Sequence, residues 1–279
     1  MPETRKPAAC FFDLDGTLVM RDMDAPGVSY TPEELRVCAP PSERDADAIR
    51  RMVEAGNLAF ICTGRAVCNL HPELLELPWS GMVTLYGGYV TLGDEVLRDH
   101  PFTEEQLADL VEGLDECRGN SCIVGSFDCV ETFDGIPTLG GWERVRTIDD
   151  VHRASPGSTF GKVFLDFDAG EALLSRRIVR DQFLYMPGLG SDLPWSEFCP
   201  AENDKMLGVR TIMARLGDAV GTTYGFGDSD LDLPLLRECD VAVSVGNATD
   251  ALKAESDYVT ASVWEGGVAA ALEHFGLCG

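Results

Sequence analysis

The sequence predicts an α/β protein: a Rossmann-like parallel sheet core carrying an inserted α+β cap. Two observations lead to this class. Apolar runs of strand length alternate with helix-period stretches at both ends of the chain, the pattern of parallel strands covered by helices. Between them the texture changes to hairpin-like strand pairs and separate helices, the pattern of a second α+β module. At 279 residues the chain is long enough for a core domain plus a smaller one.

Ala8 to Asp13 reads as the first buried strand. SERDADAIRRMVEAG, from Ser42, reads as a helix, with a Ser-x-x-Asp start, Ile49, Met52 and Val53 on one face, and Gly56 at its end. LAFIC (58–62) is the second strand. The long, polar, Pro-bearing segment 20–41 before that helix reads either as a flap with a helical turn near Pro32 or as a neutral surface insertion. GMVTLYGG (81–88) is the third core strand.

The cap is expected to begin with YVTLGDEVLR, a hairpin turning at Gly93-Asp94, followed by the helix TEEQLADLVEGLDE. A second hairpin (SCIVGSFDCVETF), a strand (GKVFLDFD) and a helix (GEALLSRRIVRDQF) complete it, and PGLGSDLP (187–194) is the return linker. The core resumes with a helix from near Asn203, with Met206, Val209, Ile212 and Met213 on one face and a stop at Gly217. GTTYGFGD and VAVSVGNA supply two further strands. The predicted division is a core of 1–86 and 190–279 and a cap of 87–189.

With 45% hydrophobic and 25% charged residues the composition is that of an ordinary globular protein. The formal charge of −25 repels nucleic acid and anionic membrane surfaces, both of which are held through Lys and Arg, so neither is expected as a partner. The ten cysteines include no Cys-x-x-Cys pair, and several lie in apolar runs, as Cys62 does. With no apolar signal core at the N-terminus and no run of about 18 apolar residues, a reducing cytosol is the expected setting. Oligomeric state is left open.

Chemistry concentrates in four places. In FFDLDGTLV an apolar strand ends on two carboxylates, Asp13 and Asp15, and turns at Gly16, at the strand end where open α/β sheets bind ligands. A Ca²⁺-type acidic loop or a solvated turn is the plainer alternative. CTGR (62–65) ends the second strand on a hydroxyl and a Gly, a geometry suited to an anion. Lys205 sits in the first turn of a helix, where the dipole disfavours a cation, and such a misfit points to function. GFGDSDLD (225–232) places Asp228, Asp230 and Asp232 at another strand end, where one or two carboxylates would suit Mg²⁺; an acidic helix start is the alternative.

Together, Asp13, Asp15, Gly16 and Thr17 (DxDGT) with CTGR, Lys205 and GFGDSDLD resemble the motifs of the haloacid dehalogenase phosphatases. The resemblance implies that Asp13 is the nucleophile, forming an aspartyl-phosphate, and that Asp15 is the general acid/base. It implies that Thr63 hydrogen-bonds a phosphate oxygen, with Gly64 and Arg65 on the substrate, that Lys205 offsets charge between nucleophile and phosphate, and that Asp232 orients Lys205 or metal-bound water. Mg²⁺ would be held by Asp13, the main-chain carbonyl of Asp15, and Asp228.

VAVSVGNATDALKAESDYVT followed by WEGGVAAALEHF resembles the Cof-type sugar-phosphatase group, whose cap is inserted after the third strand. Two residues depart from that group: Leu231 stands where Asn is usual, and Gly87-Gly88 where Asn-Gly is usual; both bear on substrate contacts. The implied reaction is hydrolysis of a small phosphorylated metabolite, a sugar or polyol phosphate. The alternatives are phosphoryl transfer on a sugar phosphate, as in phosphomutases, and a catalytically silent binding homologue. His71, His100, His152 and His274 show no paired ligand spacing and read as structural. Arg144, Arg146 and Lys162 read as substrate cations or as surface and hinge residues.

Overall fold

The computed structural model describes residues 6–20, 38–135, 141–187 and 195–279. The flap expected at 20–41 and the return linker at 187–194 fall almost wholly outside the described residues. Five strands form from the first part of the chain: β1 (Ala9–Phe12), β2 (Leu58–Cys62), β3 (Gly81–Thr84), β4 (Tyr89–Leu92) and β5 (Glu95–Asp99). The middle supplies β6 (Ser121–Gly125), β7 (Cys129–Thr132), β8 (Glu143–Arg144), β9 (Phe160–Asp166), β10 (Phe183–Pro187) and β11 (Trp195–Pro200). The last part adds β12 (Thr223–Gly227), β13 (Val241–Ser244) and β14 (Tyr258–Val259).

The core sheet runs β14-β13-β12-β1-β2-β3-β4-β5 and pairs in parallel except at β3–β4 and β4–β5, where β4 runs against its neighbours. β1 lies inside it and is buried on both faces: Cys10 and Phe12 join the cluster under the Glu43–Glu54 and Gly267–His274 helices, while Ala9 and Phe11 join the one under the Lys205–Leu216 helix. That double burial is why the strand reads as a continuous apolar run. Ser42 caps the Glu43–Glu54 helix by accepting from the Asp45 N–H. The buried Asp45 carboxylate then accepts from the Ala269 N–H, tying the two helices of that layer together.

The cap sheet runs β10-β11-β9-β6-β7-β8, with its own apolar cluster beneath the Glu104–Cys117 and Phe167–Leu173 helices. Two expected boundaries move. The hairpin β4–β5 turns at Gly93 as expected but pairs with β3, so it extends the core sheet instead of opening the cap. A hairpin's own alternation cannot say which sheet it joins; here β3 would otherwise be an open edge. At the other end β11 lies between β10 and β9, so the core resumes after Pro200 and not at 190.

The expected helix over GEALLSRRIVRDQF is broken into Phe167–Leu173 and Arg177–Gln182. At the break Arg176 takes an extended conformation, and its guanidinium is held by Asp109, Glu112 and Glu116 of the neighbouring helix. No helix among the described residues is long and apolar enough to cross a membrane.

Candidate active site

Strand register alone brings the three motif-bearing strand ends together. Phe12 pairs with Phe226 on one side and with Ile61 on the other, so Asp13, Asp228 and Thr63 emerge side by side at the carboxyl edge of the sheet. The Asp13 N–H extends the ladder by donating to the Phe226 carbonyl at 3.0 Å. The chain then turns at Gly16, whose φ of +88° favours glycine and whose missing side chain leaves room for the Asp228 carboxylate.

Lys205 opens the Lys205–Leu216 helix, which Asp204 caps. Its ammonium donates to Asp13 Oδ1 and to Asp232 Oδ1, both at 2.6 Å. Asp232 is fully engaged, because its Oδ2 accepts from the N–H of Asp228 and from the N–H and hydroxyl of Ser229. Asp228 Oδ1 accepts from the Thr17 hydroxyl at 3.2 Å. Burial raises the Asp13 carboxyl well above the usual range, and Asp232 and Asp228 push the same way against Lys205. Burial works against the Lys205 charge, but Asp13 and Asp232 outweigh it and keep the ammonium protonated.

Carboxylate oxygens of Asp13, Asp228 and Asp232 lie within 4.8 Å of one another. Three buried carboxylates grouped around one ammonium could hold a divalent cation, and an all-oxygen set suits Mg²⁺. Lys205 and the 228–229 turn occupy both oxygens of Asp232, so of the three carboxylates Asp13 and Asp228 are the ones that could hold an ion.

Asp15 points elsewhere. Arg65 grips its carboxylate with two bonds, Nε to Oδ2 at 2.6 Å and an η-nitrogen to Oδ1 at 2.7 Å. Burial opposes the Arg65 charge, but Asp15 outweighs it and holds the guanidinium protonated. Asp15 and Arg65, expected as separate acid/base and substrate residues, therefore form one pair in this structure. Thr63 accepts from the Arg65 N–H at 3.1 Å, which leaves its own hydroxyl proton directed by whatever acceptor is near. Arg144 is exposed and pairs with Asp134, and Arg146 stacks on Phe133, so neither cation is at this site. His71 caps a short turn, His100 meets Asn203, and His274 stacks on Tyr258.

A family model described as haloacid dehalogenase-like hydrolase matches residues 10–272. The chain belongs to the haloacid dehalogenase-like hydrolases. This hydrolase is 25% identical over 272 residues to "Putative phosphatase YkrA" of Bacillus subtilis (strain 168), covering 96% of this chain and 97% of that one. Among solved structures it resembles the subclass IIB sugar phosphatase BT4131 with a TM-score of 0.72 at 20% identity, over 98% of this chain and 100% of that one. It resembles TM0651 from Thermotoga maritima with a TM-score of 0.74 at 20% identity, over 97% of both chains. Those two likenesses carry the α/β core with its inserted cap.

Several residues of this hydrolase's site escaped the sequence reading. Asn247 donates to the Gly16 carbonyl at 2.8 Å and accepts from the Val263 N–H, so it braces the DxDGT turn from the far strand. Its signal was the GNA after β13, a polar turn at a strand end. Tyr86 had no signal: it takes a left-handed conformation (φ 55°), between Leu85 (φ 51°) and Gly87 (φ 84°). Asn tolerates that conformation better than Tyr, so the backbone at Tyr86 is one that its residue type does not announce. Leu231 packs beside Tyr86, Met186 and Cys199.

The Tyr86 ring lies against Gly64, where an added Cβ would come within 2.6 Å of ring carbon Cε1 and 2.7 Å of the hydroxyl oxygen. Gly64→Ala is therefore expected to lower stability by about 1–3 kcal/mol, as overpacking does, and to lower activity by displacing the loop. A denaturant midpoint equal to the parent's would show that the ring moves aside freely.

Proposed function

We propose that this chain, a phosphatase of the haloacid dehalogenase-like hydrolases, cleaves a phosphomonoester of a small metabolite through an aspartyl-phosphate on Asp13, with Mg²⁺ as cofactor. The observation that carries this reading is the buried Asp13–Lys205–Asp232 chain at the sheet's carboxyl edge, with Asp228 beside it. A carboxylate that must approach an anionic phosphate needs fixed positive charge next to it, and Lys205 provides that while its bond aims Asp13.

In this reading Asp13, Asp228 and the Asp15 main-chain carbonyl would hold Mg²⁺, which when bound supplies charge neutralisation for attack on phosphorus. Asp13 attacks phosphorus in line, and the Thr63 hydroxyl donates to a phosphate oxygen. Asp15 protonates the departing alkoxide and then removes a proton from the water that hydrolyses the acyl phosphate. In this structure Arg65 donates to both Asp15 oxygens; an incoming phosphate dianion would compete for the guanidinium and so release an Asp15 oxygen for proton transfer.

The substrate class proposed is a sugar or polyol phosphate, supported by the likeness to a protein described as a sugar phosphatase. The cap would then read the leaving group and exclude water. Chelation with EDTA is expected to abolish hydrolysis of p-nitrophenyl phosphate, with Mg²⁺ restoring it and Ca²⁺ doing so poorly, because Ca²⁺ accepts a looser geometry. Asp228→Ala should raise the Mg²⁺ concentration needed steeply. Equal rates with both ions, or an Asp228→Ala variant with the parent's metal dependence, would contradict this site.

A further inference from the structure

Where cap meets core there is a charged pair that stability alone would not choose. Lys162 on β9 and Glu197 on β11 are both buried, and Lys162 Nζ lies 3.1 Å from Glu197 Oε2. The same oxygen accepts from the Tyr86 hydroxyl at 2.9 Å, and the ammonium lies 5.5 Å from the centre of the Tyr86 ring. Their neighbours Met186, Cys199 and Leu231 are apolar. A well-packed apolar pair would suit such surroundings at least as well, since removing two charges from water is costly.

The ammonium also reaches out of the cap. It donates to the Gly64 carbonyl at 3.1 Å, in the loop that carries Thr63 and Arg65. Three successive carbonyls of that loop are thereby held: Thr63 by the Tyr86 N–H, Arg65 by the Leu85 N–H, and Gly64 between them by Lys162. Two of the three anchors come from the core and the middle one from the cap. With its carbonyls drawn to this side, the loop's Gly64 N–H donates to no group among the described residues. Because Lys162 is committed to Glu197 and Gly64, it is poorly placed to be a substrate cation itself.

We propose that Lys162 is a positioning residue through which the cap fixes the Thr63–Arg65 loop for phosphate binding, with Glu197 and Tyr86 holding its ammonium in place. This rests on the phosphatase reading above and deepens it. Cap seating and phosphate affinity are then coupled, so loosening the latch weakens binding of phosphate itself whatever the leaving group.

The test uses the full-length protein with Mg²⁺ and the variants Lys162→Met, Lys162→Arg and Tyr86→Phe. Inhibition by inorganic phosphate is measured beside kcat and KM for p-nitrophenyl phosphate and for a panel of hexose and polyol monophosphates. Lys162→Met is expected to weaken phosphate inhibition by about tenfold or more, the scale of one charge-assisted hydrogen bond, and to lower kcat/KM by a similar factor on every substrate. Lys162→Arg should recover most of that loss. Tyr86→Phe removes only the hydroxyl and serves if Lys162→Met fails to fold; it should weaken phosphate inhibition by about threefold.

Unchanged phosphate inhibition in folded Lys162→Met or Tyr86→Phe, even with a lowered melting temperature, overturns the proposal in favour of a purely structural pair. A loss confined to sugar and polyol phosphates overturns it in favour of a leaving-group contact. A parent protein that neither hydrolyses these esters nor is inhibited by phosphate removes the phosphatase reading, and this proposal with it.

Discussion

Asp13→Asn is expected to lower kcat by about four orders of magnitude or more, the scale seen when a catalytic nucleophile is removed, while leaving the protein folded. The amide can still accept a bond from Lys205 at the place where Asp13 Oδ1 now accepts one at 2.6 Å. It cannot attack phosphorus. Because Asp13 is crowded by Asp228 and Asp232, a neutral side chain also relieves repulsion, so the melting temperature should match or exceed the parent's without added metal. Steady-state hydrolysis of p-nitrophenyl phosphate and a thermal melt check both halves. Substantial Mg²⁺-dependent turnover in this variant would sink the nucleophile assignment.

Lys205→Met is expected to have the largest effect on stability. Asp13, Asp228 and Asp232 are all buried, and both oxygen contacts of the ammonium are with that group. Removing the cation leaves three carboxylates facing one another, and stripping one partner from a buried charge cluster costs about 3–5 kcal/mol. The loss should be partly reversed by Mg²⁺, which would balance the same charges, so Mg²⁺ should raise the melting temperature more in the variant than in the parent. Calorimetry with and without the ion measures this apart from turnover. An equal shift in both proteins would place the ion away from this cluster.

Both predictions start from residues that were legible before any coordinates, and the reason is local. Asp13 and Asp228 each follow an apolar run that can only be a buried strand, Thr63 follows a third, and Lys205 stands where a helix dipole disfavours it. Tertiary partners were not legible. Nothing near Asp15 in the chain announces that Arg65 will take both its oxygens, and nothing in WSEFCP announces a buried Glu197. The sheet membership of β4–β5 and β11 was misread for a related cause: a strand's own alternation shows that one side is buried, while the neighbour it pairs with is decided elsewhere in the chain. Tyr86 marks the limit most sharply, since a left-handed backbone at a tyrosine follows from the tight β3–β4 turn and not from the residue.

The position of β1 also dictates an order of events at the ribosome. Ala9 pairs with Leu58 on one side, but on the other its partner is Thr223. At about 5–20 residues per second, the nascent chain carries this apolar strand with one edge bare for roughly 10–40 s, long enough for the whole inserted module to emerge and fold first. The nucleophile therefore waits on a half-built sheet, exposed to strand pairing with other chains, until translation of the last third supplies β12. Truncation between Pro200 and Thr223 would leave the strands of the inserted sheet complete and β1 with one edge unpaired.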